Sequence, residues 1–171
     1  MRILCYGDSN TWGFIPNGNY ARYDETKRYT KILEKLLEDC TVIEKGLSGR
    51  TLMTENKEEG KEWKMGFNYL RPCIETHNPF DYMVLMLGTN EFKKAYPYTA
   101  KDILNFMETY IRFLTNYKFA DGNSLPKLII SGSIFCLKFA IKSINSFFIL
   151  ELSNPSAMSG VFSFLVRLIA F

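Results

Sequence analysis

The chain has 171 residues, enough for one domain of ordinary size, and its 47% hydrophobic and 23% charged residues are typical of a globular protein. A formal net charge of +3, with no basic run longer than two residues, excludes nucleic acid and an anionic membrane surface as expected partners. The four cysteines are scattered without a C-x-x-C pair, and the apolar N-terminal run is too short for a signal peptide. Both features predict a cytoplasmic protein with reduced thiols.

The first half of the chain predicts two strands and one helix. Residues 2–6 form a short apolar run bounded by Gly7, which is typical of a buried strand, and residues 41–44 form a second one. Between them, apolar residues three and four positions apart predict an amphipathic helix from Asp24 to Asp39. Its predicted core face consists of Tyr29, Ile32, Leu33, Leu36 and Leu37. The polar stretch 51–64 is expected to be an exposed loop or the start of a helix.

Further along, residues 82–87 form the strongest predicted strand, and residues 127–131 form a fourth. A helix is predicted from Lys101 to Tyr117, opened by a capping box of Thr99 and Asp102. Its predicted core face consists of Ile103, Met107, Tyr110, Ile111 and Leu114. Short apolar strands that alternate with amphipathic helices predict an α/β fold, with a parallel sheet covered by helices on both faces.

Residues 132–171 differ in composition from the rest of the chain. They contain seven of the 14 phenylalanines but only four charged residues, and no clean helical or strand period runs through them. The longest uncharged run, 152–166, is short for a membrane span and is interrupted by Asn154 and Pro155. We therefore expect a domain over residues 1–131, followed by an atypical apolar tail that a shifted reading frame would explain.

Three short motifs directly follow the first three predicted strands. They are Gly7-Asp8-Ser9-Asn10, Gly46-Leu47-Ser48-Gly49-Arg50-Thr51 and Gly88-Thr89-Asn90-Glu91. In an open parallel sheet the carboxyl ends of the strands meet at one edge, where ligands bind. Each motif alone is equally compatible with a turn or a helix cap, but their conjunction predicts a single site.

A hydroxyl, a glycine and an amide at one sheet edge suit acyl transfer. Ser9 is the candidate nucleophile, which attacks an acyl carbon. The backbone N–H groups of Ser9 and Gly46 and the side-chain amide of Asn90 are the candidate donors to the oxyanion. A glycine at position 46 lets bare backbone approach the substrate closely.

The sequence resembles the SGNH, or GDSL, hydrolase family, and within it the arylesterase and acetyl xylan esterase branch. The resemblance covers residues 1 to about 131 and rests on the segments 2–13, 43–51, 69–73, 76–81 and 86–90. It implies a three-layer, flavodoxin-like α/β/α fold. It also implies that Ser9 is the nucleophile and that Ser9, Gly46 and Asn90 form the oxyanion hole, with Asp8 supporting the motif.

Three further residues are candidates for substrate contacts. Trp12 either lines the pocket or packs in the core, and Arg50 either neighbours the pocket or is solvated. Thr89 lies within the third motif. Tyr96 is expected either in the pocket wall or on the surface. The sequence predicts no cofactor and no metal, because it lacks a phosphate-binding glycine loop and clustered ligands.

The chain departs from the family at its remaining catalytic block, an Asp-x-x-His motif near the C-terminus. No aspartate follows Asp121, and the only histidine is His77. We expect His77 to cap a helix at the amino end of the sheet, opposite Ser9. Without a base, the serine hydroxyl is a poor nucleophile at neutral pH.

Three functional hypotheses follow. The first is a serine esterase that hydrolyses small acetyl or aryl esters through an acylated Ser9. The second is a catalytically impaired relic of such an esterase, because the Asp-x-x-His block is absent. The third, a flavodoxin-like binding domain, leaves the three motifs as a coincidence. The resemblance also implies a homo-oligomer, because relatives in this branch often assemble.

Overall fold

The computed structural model describes residues 1–54, 60–123, 125 and 127–131. These residues contain one four-stranded parallel sheet. Its strands are β1 (Arg2–Gly7), β2 (Thr41–Gly46), β3 (Tyr82–Met86) and β4 (Lys127–Ser131). The strand order is β2-β1-β3-β4, which reproduces the first four positions of the flavodoxin-like order. The predictions for residues 55–59 and 132–171 lie outside the described residues.

Four α-helices connect the strands. They are α1 (Ser9–Trp12), α2 (Tyr29–Leu36), α3 (Gly66–His77) and α4 (Ala100–Thr115). Two short 3-10 turns, Glu62–Lys64 and Asn90–Phe92, precede α3 and follow β3.

The sheet separates two apolar clusters, as the alternation of side chains along a strand requires. Leu4 and Tyr6 of β1 pack with Leu70 of α3 and Tyr110 of α4 on one face. On the other face Ile3 and Cys5 of the same strand pack with Tyr29 and Leu33 of α2. This arrangement confirms the predicted three-layer α/β/α fold.

The strand predictions are confirmed to within two residues, and so is the long helix α4. Thr99 accepts a hydrogen bond from the N–H of Asp102, and the Asp102 carboxylate accepts from the N–H of Thr99, which confirms the capping box. Ile111 on the predicted core face is only half-buried.

The predicted helix from Asp24 to Asp39 is wrong at both ends. Asp24 accepts hydrogen bonds from the N–H and hydroxyl of Thr26, which holds a turn before the helix begins at Tyr29. At the other end Asp39 has a φ of 55°, in the left-handed region that no helix continues through. Leu36, expected in the core, is 58% exposed.

The prediction of an exposed stretch from residue 51 is also wrong at its beginning. Thr51, Leu52 and Thr54 are buried. Their backbone groups are bonded to neighbouring elements: the N–H groups of Gly66 and Phe67 donate to the carbonyls of Thr51 and Leu52 at 2.9 and 3.1 Å. This segment therefore packs under α3 and α4 instead of facing solvent.

An ion-pair cluster holds the loop between α1 and α2 against β2. Arg28, which is 7% exposed, donates to both carboxylate oxygens of Glu44 at 2.9 and 3.2 Å. The Thr30 hydroxyl donates to the same carboxylate at 2.5 Å, and Arg22 lies 3.5 Å from it. Burial raises the pKa of Glu44, but the hydrogen bonds from Thr30 and Arg28 outweigh it and bring the pKa below its usual value.

No helix in the described part of the chain is both long and apolar enough to span a bilayer.

Candidate active site

Ser9 occupies the first turn after β1. The strand runs directly into α1, whose N-cap Asp8 accepts a hydrogen bond from the N–H of Asn10 at 2.9 Å. A Cβ on Gly7 would lie 2.0 Å from the Thr11 hydroxyl and 2.7 Å from the carbonyl oxygen of Met86. Only glycine fits between the strand and the helix, and the tight turn leaves Ser9 half-buried at the carboxyl edge of the sheet.

The Ser9 hydroxyl has no hydrogen-bond partner among the described residues. His77, the only histidine, is the last residue of α3, and its Nδ1 lies 2.7 Å from the carbonyl oxygen of Cys73. α3 leads into the start of β3, whereas Ser9 follows the end of β1. A six-residue strand is about 20 Å long, so the predicted placement of His77 opposite Ser9 is confirmed.

The second motif contacts the first through Gly46. A Cβ on Gly46 would lie 2.1 Å from the N atom of Trp12 and 2.4 Å from the carbonyl carbon of Thr11. The absence of a side chain at this position is thus accounted for by the close approach of β2 to the backbone of α1. The N–H of Leu47 donates to the carbonyl of Gly7 at 3.1 Å, which extends the contact by one residue.

Arg50 of the second motif lies against the ends of β1 and β2, next to the contact between Gly7 and Leu47. It is 4% exposed, so the alternative that it is solvated is wrong. Its Nη1 donates to the carbonyls of Gly7 at 2.9 Å and Lys45 at 2.5 Å, and its guanidinium lies 4.2 Å from the centre of the Tyr6 ring. Arg50 therefore joins the ends of β1 and β2 through polar and cation–π contacts.

The third motif completes the convergence. Asn90 is buried, and its side-chain Nδ2 donates to the carbonyl of Arg50 at 2.7 Å. The exposed Thr89 places its side chain beside the Asp8 carboxyl. The three motifs predicted from sequence thus converge: the first contacts the second at Gly46, and the second is bonded to the third at Asn90. The N–H of Asp8 in the first motif donates to the carbonyl of Met86, at the end of the strand that precedes the third, at 3.3 Å.

Two carboxyl groups are buried in this region. Asp8 is fully buried and Glu91 is 1% exposed. Burial raises the pKa of both side chains, and the charge of Asp8 raises the pKa of Glu91 further. Hydrogen bonds from Asn10 and the charge of Arg50 partly offset the effect at Asp8. One oxygen of each carboxyl, Oδ2 of Asp8 and Oε2 of Glu91, has no partner among the described residues.

The aromatic candidates lie around this edge. Trp12 is half-buried; its carbonyl accepts from Nε of Arg22 at 2.6 Å, and the Arg22 guanidinium lies 5.5 Å from its ring centre. One side of the indole is therefore covered by protein. Tyr96 is half-buried and stacks on Tyr98 with ring centroids 6.2 Å apart.

Two residues near the site have no individual role in the prediction from sequence. Glu91 contacts the loop after β2, although its place beside Asn90 in the motif was visible. Gly49 lies in the turn that Arg50 closes by donating to the carbonyl of Leu47 at 3.0 Å, and it has a φ of 81°. Since Asn90 is bonded to the carbonyl of Arg50, the residue after Gly49, the third motif meets the second at Arg50 and not at Gly46.

Among the described residues there is no cluster of histidine, cysteine or acidic side chains that could hold a metal ion. Cys5, Cys40 and Cys73 are unpaired thiols. Burial raises the pKa of the Cys73 thiol to about 11, so this buried group is neutral at physiological pH.

Several solved structures similar to this chain are esterases. The aryl esterase of M. smegmatis is 34% identical, with 75% of this chain and 62% of that chain covered at a TM-score of 0.68. A carbohydrate acetylesterase family member from Sinorhizobium meliloti is 30% identical, with 77% and 62% covered at a TM-score of 0.68. The similarity to these esterases supports the resemblance of this chain to the SGNH/GDSL hydrolase family.

This chain spans about three fifths of the length of the solved structures it matches. No family model matches it, and no curated protein does. The contacts among the three motifs place three of the segments on which the resemblance rests, 2–13, 43–51 and 86–90, at one sheet edge.

Proposed function

We propose that this chain is a serine esterase of the SGNH/GDSL type that acts on small acetyl or aryl esters. The observation that carries the proposal is the convergence of Ser9, Asn90 and the loop after β2 at the carboxyl edge of the sheet, fixed by the bond from Asn90 to Arg50. The esterases among the similar structures support the same class of reaction.

In the proposed reaction the Ser9 oxygen attacks the acyl carbon, and a bond forms between them. The ester C–O bond breaks, and the alcohol leaves with the proton from Ser9. Water then attacks the acyl-enzyme, which releases the acid and restores the hydroxyl. Asp8 supports the nucleophile by capping α1.

The oxyanion of each tetrahedral intermediate requires N–H donors. Asn90 has one side-chain N–H engaged with Arg50, and the other is the proposed donor, together with the N–H of Ser9. For the donor from the second motif, Gly46 is the residue expected from sequence. The N–H of Gly49 is the alternative, because Gly49 immediately precedes the residue to which Asn90 is bonded.

The substrate is proposed to enter between the loops after β1 and β3. Trp12 and the exposed Thr89 are the proposed contacts with the acyl or alcohol group. Arg50 is proposed to support the site and not to contact the substrate, because its guanidinium is buried against backbone carbonyls and the ring of Tyr6. An arylesterase and an acetylesterase among the relatives favour small, neutral acyl groups.

A second candidate is that the chain is a catalytically impaired relic of such an esterase. It is favoured by the position of the only histidine at the far end of the sheet, and by a Ser9 hydroxyl without a hydrogen-bond partner in the part of the chain that the structure describes. Serine hydrolases that lose a triad member retain roughly 10³–10⁴-fold catalysis over water, and this is the level of activity that the relic predicts.

Hydrolysis of p-nitrophenyl acetate tests both candidates. The esterase proposal predicts turnover well over about 10⁴-fold above water, which Ser9→Ala lowers to roughly 10³–10⁴-fold and His77→Ala leaves unchanged. Wild-type turnover of no more than about 10⁴-fold above water that is equal in Ser9→Ala favours the relic. Equal turnover by the two proteins well above that level contradicts a role for Ser9.

We also propose that the SGNH-like domain covers residues 1–131 and that residues 132–171 derive from a shifted frame. Translation of the DNA after codon 131 in the other two frames should reveal an Asp-x-x-His motif within about sixty codons. Its absence from all frames contradicts the frameshift. A cytoplasmic location and a homo-oligomeric state are further proposals, which fractionation and light scattering of the full chain test.

A further inference from the structure

Glu91 is a buried carboxyl group with a specific backbone partner. It lies in the 3-10 turn after β3 and is 1% exposed. Its Oε1 accepts a hydrogen bond from the N–H of Leu52 at 2.5 Å, and the Thr54 hydroxyl lies 3.4 Å from the same oxygen. Burying a carboxyl group costs free energy unless it is hydrogen-bonded, so the bond from the Leu52 N–H offsets part of the cost of burying Glu91.

Glu91 and its neighbour Asn90 hold the same segment of chain. Asn90 donates to the carbonyl of Arg50, and Glu91 accepts from the N–H of Leu52 two residues later. The carbonyl of Leu52 is bonded as well, to the hydroxyl of Tyr110 at 2.8 Å. Leu52 is thus fixed through both of its backbone polar groups, and through it the position of the Arg50 carbonyl is fixed.

The orientation of the Asn90 amide depends on this arrangement. A primary amide has two N–H groups in one plane. When one of them is bonded to the Arg50 carbonyl, the direction of the other is determined. A shift of the segment that carries Arg50 therefore rotates the second N–H away from its direction.

We propose that Glu91 is a positioning residue, which orients the free N–H of Asn90 by anchoring the 50–54 segment to the turn after β3. This inference rests on the proposed function, in which that N–H receives the oxyanion. Glu91 does not itself contact the substrate in this proposal. Its carboxyl acts through Leu52, Arg50 and Asn90.

The contact that Glu91 makes requires an acceptor and not a charge. Burial raises the pKa of the Glu91 carboxyl, and the nearby Asp8 raises it further, which favours the neutral acid. Glutamine has the same length and keeps an acceptor oxygen at the same place. Aspartate keeps the acid but is one methylene too short to reach the N–H of Leu52. Glu91→Gln therefore keeps the hydrogen-bond acceptor and removes the acid, whereas Glu91→Asp keeps the acid and removes the acceptor from the Leu52 N–H.

The test is the side-chain NH2 signal of Asn90 in ¹H–¹⁵N spectra of the full chain, assigned by its loss in Asn90→Ala. The proposal predicts that Glu91→Gln leaves this signal near its wild-type position and that Glu91→Asp shifts or broadens it. The control is Asn116, whose amide donates to the carbonyl of Arg112 on α4. Its signal should remain in place in both variants, which also reports that the fold is intact.

An unchanged Asn90 signal in a folded Glu91→Asp protein would overturn the proposal, and so would an equal shift in Glu91→Gln. If Glu91→Asp fails to fold, hydrogen exchange in Glu91→Gln decides: continued protection of the Leu52 N–H is expected, and its loss overturns the proposal.

A second measurement separates this proposal from the proposed function. The rate at which a fluorophosphonate labels Ser9 should stay within about twofold in Glu91→Gln and fall about tenfold in Glu91→Asp. If the Asn90 signal responds as predicted but Ser9 is never labelled, the esterase proposal fails and the positioning role stands. If Ser9 is labelled at one rate in all three proteins, the positioning role fails and the esterase proposal stands.

Discussion

The side chain of Asn90 donates to the backbone carbonyl of Arg50 at 2.7 Å, and the side chain of Arg50 donates in turn to the carbonyl of Gly7 at 2.9 Å. Three segments at least 40 residues apart in sequence are thereby joined through two buried side chains. The loop after β3 is tied to the loop after β2, and that loop is tied to the strand that presents Ser9. The site is therefore part of the fold and not a set of separate surface loops.

Asn90→Ala is expected to lower the free energy of unfolding by about 1–3 kcal/mol, because the buried carbonyl of Arg50 loses its donor. Urea denaturation measures the change. Asn116→Ala is the matched control, since it removes a similar bond on the exposed end of α4, and it should cost less than about 0.5 kcal/mol. An equal loss of unfolding free energy in the two variants contradicts a stabilising role for the bond between Asn90 and the Arg50 carbonyl.

Asn90→Ala should also slow fluorophosphonate labelling of Ser9 by about 10²–10³-fold if the amide is an oxyanion donor. An unchanged labelling rate in a folded variant removes Asn90 from the oxyanion hole.

Gly46→Ala is expected to destabilise the protein by about 3 kcal/mol, the upper end of the usual range for overpacking. The new methyl group would lie 2.1 Å from a backbone atom of α1, which cannot rotate away. Gly122→Ala is the control, because its added methyl meets nothing within 4 Å and only the φ of 81° is unfavourable. Its cost should be about 1–2 kcal/mol. Thermal unfolding of both proteins compares them, and a smaller loss at Gly46 contradicts the packing described.

Glu44→Gln is expected to cost about 3 kcal/mol, because the buried Arg28 keeps, among the described residues, only the exposed Glu25 as a counter-charge. The pKa of Glu44 is lowered in the folded state. Its contribution to stability is therefore present above the carboxyl's unfolded pKa and is lost as the pH falls through the folded pKa. The difference between wild type and Glu44→Gln should shrink in acid. The exposed Glu38→Gln is the control, with little change expected at any pH; a difference for Glu44→Gln that is constant down to about pH 3 contradicts the ion pair.

Glu91→Gln should show the opposite dependence on pH. The pKa of Glu91 is raised in the folded state, so the wild type loses stability as the pH rises from the unfolded pKa of about 4.3 towards the folded pKa. Glutamine does not ionise and escapes that loss. Relative to wild type, the variant should gain about 1.4 kcal/mol for each pH unit within that window. Urea denaturation between about pH 4 and 8 measures the gain, and a constant difference means that Glu91 is not a buried acid.

Much of the fold could be predicted because its signals are local. The strands are short apolar runs ended by glycine or a polar residue, and the helix α4 begins with its own capping residues, Thr99 and Asp102. The three motifs could be placed at one edge because all parallel strands end there. This part of the prediction depended only on the order of elements along the chain.

What could not be predicted depends on contacts between distant residues. Arg50 was expected either near the pocket or in solvent, and arginine is rarely buried in general. In the structure the carbonyls of Gly7 and Lys45 and the ring of Tyr6 surround it. Glu91 could be placed in the third motif, but its role depends on its contact with the N–H of Leu52, a residue 39 positions away. No periodicity in the sequence carries such information.

The proposed function depends most on Ser9, and fluorophosphonate labelling of the full chain, mapped by mass spectrometry, tests it most directly. It predicts a single adduct on Ser9 that is absent in Ser9→Ala and unaffected by His77→Ala. The adduct should form slowly, because no described residue is hydrogen-bonded to the Ser9 hydroxyl. Labelling at another residue, or labelling of Ser9→Ala at the wild-type rate, would contradict it.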